Sequence, residues 1–306
     1  MVESADTRES AEVPRSPSGP ASELRDIATH RSPRQQVRDV WSARELLVNM
    51  IRKELKVKYK NSVLGFVWSL LNPVLYLVVF SIVFGLILPN ALDKFPLYLL
   101  SGLIAWNFFS TAVGAGTASV TANAALVTKV SFPREVLPLA AVGAALFHFF
   151  LQSLVLFAAL LAFQWMPAWN YVLVLPLAVL AVVVFSSACA IALSAINVRL
   201  RDTQHLLELL LLAWFWLTPI VYQFDLVAKR TGTFVALLNP LSSVTTTFQR
   251  ALYNRVTDTK GNKILPLEDS WWFARNCAIV AVVSLGLLYL ALVLFGKRDG
   301  DFAEEI

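Results

Sequence analysis

Charge is the first thing this sequence is short of. Asp, Glu, Lys and Arg make up 15% of the 306 residues and hydrophobic residues 57%, against roughly 25% charged in soluble domains, which excludes a water-soluble globule. Cysteine is nearly absent. Cys189 and Cys277 both sit inside apolar runs, so a disulfide framework is excluded and two small core residues are expected. The phosphate-cradling G-x-x-x-x-G-K-[ST] string is missing, and Gly114 and Gly116 stand in an apolar run with no Lys behind them; the chain is not its own ATPase. His30, His148 and His205 are scattered, so no metal site and no metal cofactor is expected. An integral-membrane enzyme needs acids or histidines gathered at one membrane face, and the long apolar runs hold only His148, Glu208 and Arg275 as ionisable groups.

Long apolar runs are what the chain has in plenty. A helix needs roughly 20 apolar residues to cross a ~30 Å hydrocarbon core. Six runs qualify: Val63 to Leu88, Leu97 to Val120, Leu137 to Phe163, Tyr171 to Ile196, Leu206 to Tyr222 and Trp271 to Phe295. The expected fold is an all-α integral membrane protein with six transmembrane helices, an N-terminal amphipathic interface helix, and short re-entrant outer helices between helices five and six. Its parts are a disordered tail over 1–34, the interface helix over 35–61, the transmembrane domain over 62–298 and a second tail over 299–306. The first tail has four prolines, six serines and no Phe, Trp or Tyr, too little apolar surface to offset the entropy of ordering. The first long apolar run starts far from Met1, so no cleaved signal is expected.

The net charge of +5 comes from 26 Lys and Arg against 21 Asp and Glu, and its placement reads as topology rather than nucleic-acid binding. Basic residues crowd ahead of span one, and Lys129, Arg134, Arg199, Arg201, Lys297 and Arg298 fall in the loops on the same side. The two short opposite loops hold only Lys94. The positive-inside rule then puts both termini of a multi-pass plasma-membrane protein in the cytoplasm.

Several local patterns refine this frame. Val37, Val40, Trp41, Leu47, Ile51 and Leu55 recur at helical spacing among Arg38, Arg44, Arg52, Lys53 and Lys56, the pattern of a helix lying in a membrane surface. Asn72-Pro73 in span one removes a backbone donor and predicts a kink. Small residues Ala112, Gly114, Gly116 and Ala118 on span two, and Ala140, Ala141, Gly143, Ala144 and Ala145 on span three, allow helices to approach closely in lipid. Trp165, Trp169, Tyr171, Trp271 and Trp272 fall at outer boundaries, where amphipathic rings anchor in the headgroups. Between Gln223 and Ser270, Phe234 to Val244 is broken by Asn239-Pro240 and followed by helix-like Thr245 to Arg255; neither piece spans, so a re-entrant or surface-lying pair of outer helices is expected, with an ordinary outer loop as the alternative. His148, mid-span, either bonds another helix as a neutral imidazole or serves transport. Trp214, Phe215 and Trp216 lie too deep for an aromatic belt; they either pack or line a passage, where flat rings suit sugars.

Four strings carry a specific likeness: Arg52 to Lys60 followed by Ser62-Val63-Leu64-Gly65, Trp68 and Asn72-Pro73; Lys129 to Pro138; Asn197 to Asp202 with Trp214 to Pro219; and Leu238 to Leu241. In this order, across about residues 36–298, they resemble the transmembrane subunits of ABC-type polysaccharide and polyol-phosphate exporters, the Wzm and TagG-like permeases. The resemblance implies a half-transporter: a second copy of the chain completes a channel, and two copies of a cytoplasmic ABC ATPase, which bind ATP and Mg, drive it. It implies no cofactor in this chain and no nucleic-acid partner; the partners are the ATPase, membrane lipid and a lipid-linked polysaccharide. O-antigen, teichoic-acid and galactan polymers all fit, overall likeness leaning to the galactan. Channel-lining candidates are Phe66, Trp68, Asn72, Trp214, Phe215, Trp216 and Tyr222. ATPase-coupling candidates are Leu126, Val127, Lys129, Phe132 and Arg134. Arg52, Lys53, Lys56, Lys58 and Lys60 either meet the carrier's phosphates or hold the helix to anionic lipid. Beside this stand a proton-coupled secondary transporter, which would carry more buried acids, and an integral-membrane glycan-processing enzyme.

Overall fold

A computed structural model describes residues 32–60, 62, 67–87, 92–258, 261 and 263–299. The first helices form where the amphipathic pattern lies. Ser32 caps α1 (Pro33–Ser42): its Oγ accepts the Gln35 N–H, and Gln35 Oε1 accepts the Ser32 N–H at 3.0 Å, satisfying two end donors reciprocally. The chain turns at Ala43 and resumes as α2 (Arg44–Tyr59), so the stretch expected as one interface helix is two.

Apolar helix α3 (Val67–Ile82) runs on through Pro73 and ends in a π-helical turn, Val83–Ile87. Then come α4 (Phe95–Ala122), the short α5 (Ala124–Lys129), α6 (Val136–Ala162), α7 (Trp169–Val172), α8 (Leu175–Arg199) and α9 (Thr203–Leu217). Short outer helices α10 (Phe224–Thr231), α11 (Thr233–Leu238) and α12 (Pro240–Phe248) lead to a second π-helical turn, Gln249–Tyr253, and to the last long helix, α13 (Ser270–Arg298). Among the described residues, four segments are long and apolar enough to cross a bilayer: Phe95–Ala122, Val136–Ala162, Trp169–Arg199 and Ser270–Arg298. In the other two expected spans the described α-helices are shorter, α3 with 16 residues, residues 63–66 and 88 of that run lying outside the described residues. α9 has 15 residues and stops before Thr218-Pro219, a rise of about 22 Å.

α4 is the central helix: 78% of its apolar window is buried, against 33% for α6 and for α13. It packs on α6 and α8, and α8 in turn packs on α13. Two glycines set the closest approaches. A Cβ on Gly116 would lie 2.5 Å from the Ala190 Cβ and 3.3 Å from the Ala190 Cα of α8, so this small residue lets two backbones approach, and one on Gly143 would lie 2.5 Å from the Ile51 Cδ1 of α2, whose side chain seats there. Gly114, two residues from Gly116, meets nothing.

Many hydroxyls inside the bundle bond to the backbone of their own helix, while Ser186 Oγ, Ser284 Oγ and Asn276 Nδ2 are buried without a hydrogen-bond partner among the described residues. On α12 every residue from Leu241 to Phe248 is buried; Thr245 Oγ1 donates to the Leu241 carbonyl, Thr246 to Ser242 and Thr247 to Ser243, at 2.8, 2.6 and 2.6 Å. Asn239, expected as a break, caps this helix by accepting the Leu241 N–H. The cysteines are unbonded, and Cys277 Sγ sits 3.3 Å from Thr247 Oγ1.

Candidate functional site

The chemistry-bearing side chains gather where α2 climbs along α6. Ile51 seats on Gly143, and from there the helix rise brings Lys58 and Tyr59 up to His148. Lys58 Nζ is 3.2 Å from His148 Nε2, and the Tyr59 hydroxyl is 3.2 Å from His148 Nδ1. His148 thus bonds another helix, one of the two roles the sequence left open. It lies 12 residues from the start of α6, about 18 Å by helix rise. Gln152, one turn on, accepts from Asn107 of α4 at 3.3 Å. Between these groups opens a cavity of about 480 Å³, lined also by Ser62, Trp68, Leu71, Leu75 and Thr111. Burial holds the Lys58 pKa below the ordinary lysine value.

The five basic candidates separate clearly. All five are exposed, and their contacts differ: Lys53 donates to the Asn123 side chain at the end of α4 and lies 3.9 Å from Glu54. Only Lys58 of the five lines the cavity. Of the channel candidates, Trp68 is 55% exposed at the cavity wall, Phe66 lies outside the described residues, and Asn72 is placed on α3 by its backbone alone. Trp214 and Phe215 turn inward: Trp214 meets Phe109 and Phe185 edge-on, and Phe215 meets Trp106. Trp216 points outward, 59% exposed. The Trp214 indole donates to Asn239 Oδ1 at 3.0 Å, and the Tyr222 hydroxyl to the Trp216 carbonyl at 2.8 Å. A second, largely apolar cavity of about 490 Å³ lies beside Trp214, between α8, α9, α11, α12 and α13.

The coupling candidates occupy the turn between α4 and α6. Val127 is buried and Leu126 and Phe132 half-buried against Val120, Leu137 and Phe295. Arg134 pairs with Asp299 at 3.2 Å, tying the turn to the end of α13. Lys129, Val130 and Ser131 are exposed, so they form the outward surface of this turn. At the opposite end Trp165 stacks on Tyr253, and the Arg255 guanidinium lies 4.8 Å from the Trp165 ring centre and 3.2 Å from the Asp93 carboxylate; Trp169 and Trp271 stay exposed at 70% and 72%.

Tyr59, Asn107 and Gln152 were not singled out in the sequence. A signal existed: His148 and Gln152 are four residues apart in a helix that is otherwise apolar but for Ser153, hence on one face.

Residues 45–253 match the ABC-2 type transporter family. The chain belongs to that family. An ABC-2 type permease is not itself catalytic, which sets aside the enzyme and the proton-coupled transporter. Among its relatives, this ABC-2 chain is 35% identical over 272 residues to the O-antigen export system permease protein RfbA of Myxococcus xanthus, covering 88% of this chain and 98% of that one. The Klebsiella pneumoniae protein of the same description is 30% identical, with 85% and 94% covered. The polysialic acid transport protein KpsM of Escherichia coli is 22% identical, with 81% and 91% covered.

Proposed function

We propose that this chain is the transmembrane permease subunit of an ATP-driven exporter that moves a lipid-linked polysaccharide from the cytoplasmic to the outer side of the plasma membrane. Two relatives of near-full coverage, one described as an O-antigen export permease and one as a polysialic acid transporter, carry the polysaccharide reading. In this proposal α3 and α9 complete a six-span frame with both termini inside, which the basic residues at Lys129, Arg134, Arg199 and Lys297 favour. A second copy of the chain closes the passage. A separate ABC ATPase, binding ATP and Mg, docks on the interface helices and on the exposed surface at Lys129 and Val130. The tight packing of α4 on α8, and the ties from the turn to α2 and α13, support a stiff path for that push.

The test is depletion of the chain in its own cell, with the surface polymer and its lipid-linked precursor both measured. Precursor should accumulate inside and surface polymer fall, and a single cysteine placed by Lys129→Cys should react only from the cytoplasm. Unchanged surface polymer overturns the exporter, and labelling from outside overturns the topology.

A further inference from the structure

We propose that the cavity between α2, α3, α4 and α6 is a binding site for the phosphate-bearing headgroup of an anionic amphiphile, with Lys58 as its charged ligand. The inference deepens the export reading and rests on it for the identity of the amphiphile.

Lys58 carries the argument. Its ammonium is turned toward the middle of α6, where an ionised group is costly unless it is paired. Its contact there is a neutral ring nitrogen of His148, and no carboxylate among the described residues pairs with it; the ion pairs there involve Lys53, Arg134, Lys229 and Arg255. A cation held beside a cavity by neutral groups is the arrangement that an incoming anion completes, since charge-assisted hydrogen bonds are the strong ones. The rest of the lining suits what adjoins a phosphate in a glycolipid. Tyr59 and the carboxamides of Asn107 and Gln152 bring hydroxyl and amide groups for sugar oxygens, and Trp68 offers a ring face at the wall. The volume of about 480 Å³ is in the range of small-molecule sites. Lys58 is exposed like its neighbours Lys56 and Lys60; what sets it apart is its place in the lining, where its ammonium meets His148 while theirs lie outside.

Two sources supply such a headgroup, the diphosphate carrier of the exported polymer and the phosphatidylglycerol of the bilayer. The experiment uses the purified full-length chain in phosphatidylcholine nanodiscs. One arm titrates a short-chain prenyl diphosphate bearing one sugar, a second replaces part of the phosphatidylcholine with phosphatidylglycerol, and a third adds inorganic pyrophosphate. Lys58→Gln is expected to weaken amphiphile binding about tenfold, equivalent to about 1.4 kcal/mol, with Lys58→Arg restoring most of it and Lys56→Gln leaving it unchanged. Lys58-dependent binding in the first arm identifies the carrier, and in the second the bilayer lipid; either supports the site. Binding of both amphiphiles that ignores Lys58 overturns it, as does pyrophosphate binding as tightly as the prenyl compound. Gln152→Leu, which leaves the charge in place, guards against misfolding by Lys58→Gln: it should weaken the sugar-bearing probe and spare phosphatidylglycerol. If the wild-type complex exports polymer and Lys58→Gln exports equally well with unaltered binding, the pocket fails while the exporter reading stands; if wild-type depletion leaves export intact, the exporter reading fails first.

Discussion

Replacing Gly116 by Ala adds one methyl group where α4 and α8 touch, and the structure says what it meets. The new Cβ would lie 2.5 Å from the Ala190 Cβ and 3.3 Å from the Ala190 Cα, whereas carbon atoms in contact prefer about 3.5–4.0 Å. Ala190 has no rotamer to change, so the two helices must part by roughly 1 Å, and overpacking of this kind costs about 1–3 kcal/mol. Against this, Ala is favoured over Gly in a helix by about 1 kcal/mol. Gly114→Ala gains the same propensity and meets nothing within 4 Å. The thermal midpoint of the detergent-solubilised chain should therefore be unchanged or higher for Gly114→Ala and lower by a few degrees for Gly116→Ala. Ala190→Gly combined with Gly116→Ala should recover most of the loss, because it removes the colliding atom; this coupling is read directly by a double-mutant cycle. Equal midpoints for the two Gly→Ala variants, or no rescue from Ala190→Gly, would refute the close contact.

Asn239→Ala removes the α12 cap and leaves the Trp214 indole N–H without its acceptor, a loss of about 1–2 kcal/mol from the cap alone; Asn239→Asp, which keeps an acceptor for both the Leu241 N–H and the indole, should lower the midpoint less. Reversing the pair at the other end, Arg134→Glu should loosen the end of α13 by breaking its contact with Asp299 and raise tryptic cleavage at Lys297 and Arg298; adding Asp299→Arg should restore protection, and cleavage indifferent to either change would show that the pair does not hold this end.

The long apolar runs made the helical membrane fold legible, because about 20 apolar residues in series have few other uses. What composition could not fix was where helices stop. The run Leu206 to Tyr222 reads as a span by hydropathy, yet Pro219 ends α9 early and the remaining residues turn back through the Tyr222 contact with Trp216. The interface helix has a continuous apolar stripe, but its turn at Ala43 leaves no mark in the pattern. Gly114 and Gly116 look alike in the sequence, and only the register of α4 on α8 separates the packed one from the open one. The candidate site was legible in part for the same reason. The basic run was visible as five charges; the selection of Lys58 among them follows from Ile51 seating on Gly143, a long-range contact that fixes which face of α2 meets α6.

That seating also joins features that the sequence presents separately. α2 is held to the start of α6 by Ile51 on Gly143, to the end of α4 by Lys53 on Asn123, and to the middle of α6 by Lys58 and Tyr59 on His148. The α4–α6 turn is held to α13 by Arg134 on Asp299. In the proposed exporter, a force applied at Lys129 and Val130 would reach the cavity wall through the turn at Asn123, its tie to α2 and the seat of α2 on α6. Gly143 is the position on which this depends. A larger residue there would press on the Ile51 side chain and is expected to shift Lys58 from His148 while touching neither the turn nor the cavity lining, so Gly143→Leu should weaken amphiphile binding in the nanodisc titration; unchanged binding would show that the seat of Ile51 does not position Lys58.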